Sequence, residues 1–217
     1  MKSKGTVLGA YNFVENLSFE RSNNSQITDD WETSGNLPAN DQLDSSESYV
    51  GSQSFKITSE SGKNKFIKQT IPISGDEDSR FTLSGYSKQV GANPNGGHYA
   101  LQVAIHYTDG STDWSNANDF DKTKEGWQYV AAEIKPDRAF DSIEVYYYFF
   151  NQSGTAWFDA MRLEEGASHT FYTYDTNSNY VTQIKDPLGH TLSYSYDAAG
   201  NQASVTDGKG KTTSFQI

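Results

Sequence analysis

Two carboxylates of the sequence, Glu20 and Asp159, have the chemistry of a metal site. They stand near the two ends of a long stretch of predicted β-strands, and the first and last strands of a sandwich can be neighbours. Two carboxylates that meet away from any lysine favour a hard cation such as Ca²⁺, for which backbone carbonyls complete about six to eight oxygen ligands. The alternative is that Glu20 caps a turn and that Asp159 pairs with Arg162 or with a backbone amide.

A second set of side chains has the chemistry of sugar recognition. Aromatic rings offer flat faces to pyranose rings, and amides, hydroxyls and carboxylates bond the sugar hydroxyl groups. Such side chains fall on the non-core side of three predicted strands, and Trp114 lies in a loop that closes one end of that face. The candidate set is Tyr86, Gln102, Trp114, Glu144, Tyr146 and Tyr148, with Lys88 and His106 as polar neighbours. The alternative is that this tyrosine-rich face packs against a neighbouring domain.

Residues for catalysis are harder to find. Glu144 is the only carboxylate predicted on the sugar-binding face, whereas a glycosidase needs two. The sequence contains no nucleophile elbow, zinc-protease motif, phosphate loop or dinucleotide glycine motif. Its four histidines are scattered, and it has no cysteine. We therefore expect the chain not to be an enzyme.

The elements that must carry these residues are β-strands. From residue 7 to residue 166, short runs with a period of two alternate with polar turns, which is typical of a β-sandwich. The alternation predicts core side chains in residues 81–85, 101–105 and 143–149, and Asp109-Gly110 predicts a tight hairpin turn. Residues 143–150 are apolar or aromatic on both faces, so this strand either lies between two layers or carries an exposed ring-lined surface. The remaining tryptophans, Trp31, Trp127 and Trp157, are expected in the core or at sheet edges.

The end of the chain repeats itself with a period of about 22 residues, which is the mark of a stacking supersecondary unit. Units of this kind need more than two copies to bury a continuous core, so we expect the chain to be a piece of a longer protein. We place the start of the repeats at about residue 168. The first copy comprises Tyr174, Asp175, Asn179, Asp186, Gly189, Thr191 and Tyr194, and the second comprises Tyr196, Asp197, Asn201, Asp207, Gly210, Thr212 and Phe215.

The net charge of −11 limits the partners of the chain. An acidic surface repels phosphates, which argues against nucleic acid or an anionic membrane, while neutral polymers and cations remain compatible. No apolar run is long enough to span a membrane, and the first five residues lack the apolar core of a signal peptide. If the parent protein is exported, we expect its signal to lie outside this sequence.

Six segments of the first part of the chain carry a resemblance: residues 12–20, Trp31, 49–57, 68–71, 126–128 and 157–163. They occur in the order found in jelly-roll carbohydrate-binding modules, and this part of the chain resembles the xylan- and glucan-binding modules of bacterial glycoside hydrolases. The resemblance implies a structural calcium ion held by Glu20 and Asp159, with the carbonyls of Ser18, Val50 and Gln53. It also implies that an oligosaccharide lies across the face that carries the candidate set.

The repeats carry a second resemblance. Residues 196–201, Tyr-Asp-Ala-Ala-Gly-Asn, match in full the YD repeat of Rhs and wall-associated bacterial proteins, whereas the first copy has Ser178 in place of the glycine. The combination resembles the cell-wall-associated YD-repeat proteins of Gram-positive bacteria. That family implies export to the cell wall and a hollow shell of hairpins that can enclose a C-terminal toxin.

The sequence thus predicts an all-β chain, with a jelly-roll sandwich over residues 7–167 and two YD-repeat hairpins over residues 168–217. The expected function is that of a non-catalytic carbohydrate-binding module, stabilised by calcium, in a secreted wall-associated protein of the polymorphic-toxin type. Its expected partners are a wall or extracellular polysaccharide and the rest of the YD-repeat shell, without nucleic acid or a membrane span. The alternative is a structural capping or plug domain of that shell, which binds no glycan.

Overall fold

A computed structural model of the chain describes residues 11–23, 28–34, 40–60, 62–114, 117–166, 171–175, 179–185 and 190–215. Within these residues the regular elements are β-strands: β1 (Glu32–Thr33), β2 (Gln42–Asp44), β3 (Ser54–Thr58), β4 (Asn64–Ile71), β5 (Phe81–Val90), β6 (Tyr99–Tyr107), β7 (Thr112–Asp113), β8 (Asn118–Asp119), β9 (Gln128–Ile134), β10 (Phe140–Phe150), β11 (Thr155–Glu165), β12 (Phe171–Tyr174), β13 (Val181–Lys185), β14 (Thr191–Tyr196), β15 (Gln202–Asp207) and β16 (Thr212–Ser214). The chain divides into two compact units, one ending at Glu165 and the other starting at Gly166. The boundaries expected at residues 7, 167 and 168 lie outside the described residues.

The first unit is a sandwich of two sheets. The first sheet has the strand order β1-β4-β10-β6-β7, with β8 also paired to β6, and the second sheet has the order β2-β3-β11-β5-β9. The described strand ladders of both sheets are antiparallel. The predicted hairpin at Asp109-Gly110 joins β6 to β7, and Gly110 adopts the positive φ that such a turn requires.

The core lies between the two sheets. The predicted core residues of β6 and β10 are fully buried, namely Leu101, Val103, Ile105, Ile143, Val145, Tyr147 and Phe149. The rings of Tyr147 in the first sheet and Phe158 in the second are stacked with centroids 4.6 Å apart. Each fully buried side chain of this size stabilises the fold by about 1.5–3 kcal/mol. Trp31 also lies in the core, as predicted.

A β-bulge interrupts β11 where the second sheet carries Asp159. The register with β5 shifts between Asp159 and Arg162, and Ala160 inside the bulge has a φ of 53°. Strict alternation would place Asp159 on the outer face opposite Phe158, but the bulge leaves its side chain fully buried. A side chain of the first sheet holds the backbone of the bulge, because the hydroxyl of Tyr147 donates a hydrogen bond of 2.6 Å to the carbonyl of Asp159.

The second unit is a single meandering sheet in the order β12-β13-β14-β15-β16. Its turns share one device, since Asp175, Asp197 and Asp207 each accept two backbone N–H groups from the following residues. The recurrent aspartate of the sequence repeat is therefore a turn residue. The rings of Tyr180 and Tyr196 pack with centroids 4.7 Å apart. Ser178, Asp186 and Gly189 lie outside the described residues, as does the side chain of Tyr174.

Candidate functional sites

The outer face of the first sheet brings most of the predicted sugar-binding residues together. The register of β10 with its neighbours places Glu144 beside Thr70 and Ala104, and Tyr146 beside Lys68 and Gln102. Tyr148 follows beside Phe66 and Ala100. We call this surface the Glu144 face; its side chains are Phe66, Lys68, Thr70, Gln102, His106, Trp114, Glu144, Tyr146, Tyr148 and Phe150.

Glu144 is the centre of a hydrogen-bonded network on this face. Its Oε1 accepts bonds from Lys68 Nζ at 2.6 Å and from Thr70 Oγ1 at 3.1 Å, and the hydroxyl of Tyr146 donates to its Oε2. His106 Nε2 lies 3.3 Å from the same Oε2. Partial burial by itself raises the pKa of Glu144, but the bonds from Lys68, Tyr146 and His106 outweigh it and lower the pKa to about 2. Glu144 is therefore a permanently ionised acceptor near neutral pH.

Aromatic rings flank this network. Tyr146 packs edge-on against Phe66 at 5.5 Å and against Tyr148 at 5.1 Å, and Tyr148 stacks on Phe150 at 4.0 Å. Trp114 tilts over Tyr146 with centroids 5.7 Å apart. Trp114 is 49% exposed, whereas Tyr146 and Tyr148 are 4% and 8% exposed. The most exposed ring of the Glu144 face is therefore that of Trp114.

The structure corrects three parts of the predicted set. Tyr86 lies on β5 of the second sheet, with Lys88, because the two outer faces of a sandwich point in opposite directions. Tyr146 and Tyr148, predicted as sugar-binding rings with packing of this face against a neighbouring domain as the alternative, are buried. Gln102 is also buried, and its amide donates to the carbonyls of Val103 and Trp114, so it holds the Trp114 segment in place.

Trp157, expected in the core or at a sheet edge, departs from that prediction because it lies on the internal strand β11, whereas Trp127 directly precedes the edge strand β9. Both lie half-buried on the outer face of the second sheet. Trp127 contacts Tyr49, and Trp157 lies under Lys88. Sequence reasoning missed this aromatic surface. The alternation along β9 was an available signal, because it places Tyr129 on the side of the strand that faces away from the core.

The predicted metal ligands lie around the loop between β2 and β3, which we call the 45–53 loop. Asp159 Oδ2 accepts the N–H groups of Tyr49 at 2.7 Å and Val50 at 2.9 Å. Glu20 accepts the N–H groups of Ser52 at 2.9 Å and Gln53 at 3.2 Å. The backbone-amide pairing that was the alternative to a metal is thus present for both carboxylates.

One atom of this site is left without such a bond. Asp159 Oδ1 is buried and has no hydrogen-bond partner among the described residues. Burial raises the pKa of Asp159 to about 6, with a further contribution from the nearby charge of Glu20. A buried carboxylate oxygen of this kind is costly unless a proton or a cation neutralises it. The donor set therefore fits a cation that Asp159 and Glu20 would hold together.

Glu20 is held against the same loop by the hydrogen bonds that it accepts from Ser52 and Gln53. Gly51, at a φ of 77°, approaches Glu20 so closely that an added Cβ would overlap Oε1. Partial burial raises the pKa of Glu20, but the bonds from Ser52 and Gln53 lower it overall. Gln53 also donates its side-chain amide to the carbonyl of Phe19 at 2.6 Å. The ligand roles predicted for the carbonyls of Ser18, Val50 and Gln53 stay predictions. Among the described residues, no group of three or more histidine, cysteine, aspartate or glutamate side chains is placed to hold a metal ion.

Comparison with known families recognises the repeats. The family described as RHS Repeat matches residues 172–212. The chain is 35% identical to the tRNA nuclease WapA of Bacillus subtilis strain 168 over 93% of its own length. It is also 35% identical to the tRNA3(Ser)-specific nuclease WapA of Bacillus spizizenii over 92% of its length. The chain spans about 8% of the length of these relatives.

Solved structures resemble the chain in fold. A family 16 carbohydrate-binding module has a TM-score of 0.51 at 19% identity, covering 70% of this chain and 99% of that one. A tandem pair of family 22 modules from Paenibacillus barcinonensis has a TM-score of 0.51 at 14% identity, covering 91% of this chain and 60% of that one. These likenesses confirm the jelly-roll fold of the sandwich.

The same comparisons correct the expectation that the protein is not an enzyme. The relatives are named as tRNA nucleases, so that expectation is wrong for this group of proteins. It rested on motifs absent from a segment that corresponds to about 8% of the relatives' length. Their substrate is also a nucleic acid, which the acidic charge of this segment did not anticipate. Separately, none of the described residues form a helix that could cross a membrane.

Proposed function

We propose that the sandwich is the carbohydrate-binding module of an exported nuclease toxin. The chain belongs to the RHS or YD-repeat proteins related to WapA. In this proposal the whole protein cleaves tRNA, which is the activity given in the names of its relatives. The sandwich contributes attachment to a polysaccharide of the cell wall. The repeats that follow begin the shell that carries the toxin.

The observation that carries this proposal is the Glu144 face. It offers an exposed indole beside an ionised carboxylate, a lysine and a histidine that are held in fixed positions by mutual hydrogen bonds. Pockets that bind polar organic ligands combine aromatic walls with a few fixed polar groups in this way. Because the network is formed before any ligand arrives, little side-chain entropy is lost on binding.

We propose Ca²⁺ as the structural ion of the sandwich, with Glu20 and Asp159 as its carboxylate ligands. The buried, unpaired Asp159 Oδ1 and the raised pKa of that carboxyl support it. The ion would supply the positive charge that the site lacks and would fix the 45–53 loop against the bulge of β11. Ser18, Val50 and Gln53 are the candidates for carbonyl ligands.

The burial of Tyr146 and Tyr148 favours a second candidate function. Rings that are 4% and 8% exposed are covered by side chains of their own sheet, so they leave little surface on which a sugar could stack. In that account the Glu144 network stabilises the sheet and binds no sugar. The two accounts differ in what happens at Trp114, because only glycan binding uses its exposed ring.

The test is the titration of the 217-residue chain with xylohexaose, cellohexaose and chitohexaose by isothermal calorimetry. We expect Trp114→Ala to weaken the binding of a recognised oligosaccharide about tenfold, which corresponds to ~1.4 kcal/mol. Tyr11→Ala is the matched control, because it removes another exposed ring, at the start of the sandwich.

Two results would contradict the proposal. Equal affinities for the Trp114→Ala and wild-type chains would remove the Glu144 face from binding. The absence of heat with all three oligosaccharides, from a chain shown to be folded by circular dichroism, would favour the capping function.

A further inference from the structure

The outer face of the second sheet carries a cluster of aromatic rings that the Glu144 face does not include. Tyr86 on β5 lies directly opposite Tyr129 on β9, with ring centroids 4.9 Å apart. Tyr49, from the 45–53 loop, stacks on Tyr86 at 3.6 Å with an interplanar angle of 15°. Trp127 lies 5.8 Å from Tyr49. We call these four residues the tyrosine platform.

We propose that the tyrosine platform is a second carbohydrate-binding surface, on the opposite side of the sandwich from the Glu144 face, for a neutral polysaccharide chain. The first support is exposure. Tyr49 and Tyr129 are 46% and 44% exposed, so the platform presents more aromatic surface to solvent than the two tyrosines of the Glu144 face. A group of neighbouring large rings exposed to solvent indicates an interaction surface. Single exposed apolar residues that are scattered over a surface do not.

The surroundings of the rings indicate which ligand they suit. Lys88 pairs with Glu47 at 2.6 Å, and Arg162 pairs with Glu164 at 3.0 Å, so the flanking charges cancel in pairs. Lys88, Glu47 and Arg162 are partly exposed and still offer hydrogen-bonding capacity to hydroxyl groups, whereas Glu164 is buried. Rings beside such groups suit a polyhydroxylated chain, whose apolar faces stack while its hydroxyls reach the rim.

Charge disfavours two other occupants. The net charge of −11 repels an anionic polymer, and it also repels a second copy of the same acidic chain. The charge pairs beside the rings create no local positive field that would overcome this repulsion. A neutral glycan meets no such penalty.

The platform is organised in advance by the backbone that carries Tyr49. The N–H of Tyr49 donates to the buried Asp159, and the N–H groups of Ser52 and Gln53 donate to Glu20. Tyr49 is therefore held over Tyr86 by its own main chain. The hydroxyls of the two rings are also bonded to each other, which contributes with burial to raising the pKa of Tyr86 to about 12. A tyrosine fixed in this way loses little conformational entropy when a ligand stacks on it.

The experiment uses the full chain with Trp114→Ala, so that the Glu144 face no longer contributes its exposed ring. Binding of xylohexaose, cellohexaose and chitohexaose is measured by calorimetry before and after the addition of Tyr49→Ala with Tyr129→Ala. We expect the Trp114→Ala chain to retain binding of at least one probe, and the added pair of substitutions to weaken it about tenfold.

Two controls separate stacking from damage to the fold. Tyr49→Phe keeps the ring and loses only the hydroxyl, so it should retain most of the affinity. Val90→Ala removes an exposed apolar side chain from the same strand as Tyr86 and should leave binding unchanged. Near-ultraviolet circular dichroism checks that each variant is folded.

Three outcomes would overturn the inference. One is the loss of all binding in the Trp114→Ala chain, which would leave only the Glu144 face. Another is an unchanged affinity after Tyr49 and Tyr129 are replaced. The third is a dimer, seen by sedimentation, that dissociates with Tyr49→Ala, because it would assign the platform to a second copy of the chain.

Discussion

Two carboxylates of the sandwich show how one chemical group acquires opposite properties from its surroundings. Glu144 sits beside Lys68 and His106, and their bonds and that of Tyr146 bring its pKa down to about 2 despite partial burial. Asp159 is buried with only backbone N–H groups for partners and with the charge of Glu20 nearby, so its pKa rises to about 6. The positive charge present at the first site is missing at the second. A bound cation would supply it.

Calcium binding should therefore depend on pH through Asp159. The folded-state pKa of about 6 lies above the unfolded value of about 4, so the metal-free protein gains stability as pH falls through 6 and loses it as pH rises. In the proposed site, Ca²⁺ would replace this proton at higher pH. We expect millimolar Ca²⁺ to raise the melting temperature by about 5 °C near pH 7.5 and by much less near pH 5.

The measurement is calorimetric melting with Ca²⁺ or with a chelator at the two pH values. Asp159→Asn serves as the control, because it keeps an oxygen but loses the charge, and it should abolish both the calcium response and this part of the pH dependence. An identical melt of the wild-type chain with Ca²⁺ and with chelator near pH 7.5 would exclude the metal.

The residues of the candidate sites were predictable in identity more than in position. Glu20 and Asp159 stand out in the sequence, and the structure places both against the 45–53 loop. Tyr86 was assigned to the wrong face because alternation tells which side of a strand a residue occupies, but not to which of two sheets the strand belongs. Tyr49, which stacks on Tyr86, comes from a loop, and alternation gives no information about loops.

At the scale of the element, the 45–53 loop connects two carboxylates that lie far apart in sequence. Its amides at positions 49, 50, 52 and 53 point to Asp159 and Glu20. The close approach to Glu20 is possible because residue 51 has no side chain. This loop therefore links the proposed metal site to the tyrosine platform.

Gly51→Ala should show how much this approach contributes. Alanine meets the cost of a positive φ, about 1–2 kcal/mol, and in addition its Cβ overlaps the carboxylate of Glu20. Gly62→Ala is a matched control, because Gly62 has a similar φ of 71° and open space around the added Cβ. We expect Gly51→Ala to lower the free energy of unfolding by more than Gly62→Ala and to weaken the calcium response.

Urea denaturation of the two variants, with and without Ca²⁺, measures the difference. Equal losses of stability in the two variants, with the calcium response intact, would show that Glu20 moves aside at no cost and that the close approach has no role.

The strands themselves were largely predictable, whereas their irregularities were not. Alternation in residues 101–105 and 143–149 predicted the core sides of β6 and β10 correctly, because apolar side chains occupy every second position of both strands and are buried there. The bulge in β11 follows from no pattern in residues 157–163. It depends on a tertiary contact, the hydrogen bond from Tyr147, that sequence periodicity does not report.

At the scale of the whole molecule, the two units differ in how completely each buries its own surface. None of the described side chains of β14, β15 and β16 is buried, and Leu192 and Phe215 are exposed. A sheet of this kind has no core of its own and gains one only when further units stack on it. This agrees with a chain that spans about 8% of the length of its relatives.

The sandwich, in contrast, should fold without the repeats. Among the described residues, its large core cluster is drawn from residues between Phe13 and Leu163, and its described ladders join only β1 to β11. We therefore expect a chain that ends at Gly166 to melt cooperatively within about 2 °C of the sandwich transition in the full chain, since none of the described core side chains is lost. Residues 167–217 alone should show no cooperative transition, because none of the described side chains of β13, β14, β15 and β16 is buried. Circular dichroism melts of the three chains measure this.

An insoluble sandwich, or one that melts far below the full chain, would mean that the repeats supply part of its core. The capping function would then be favoured over glycan binding.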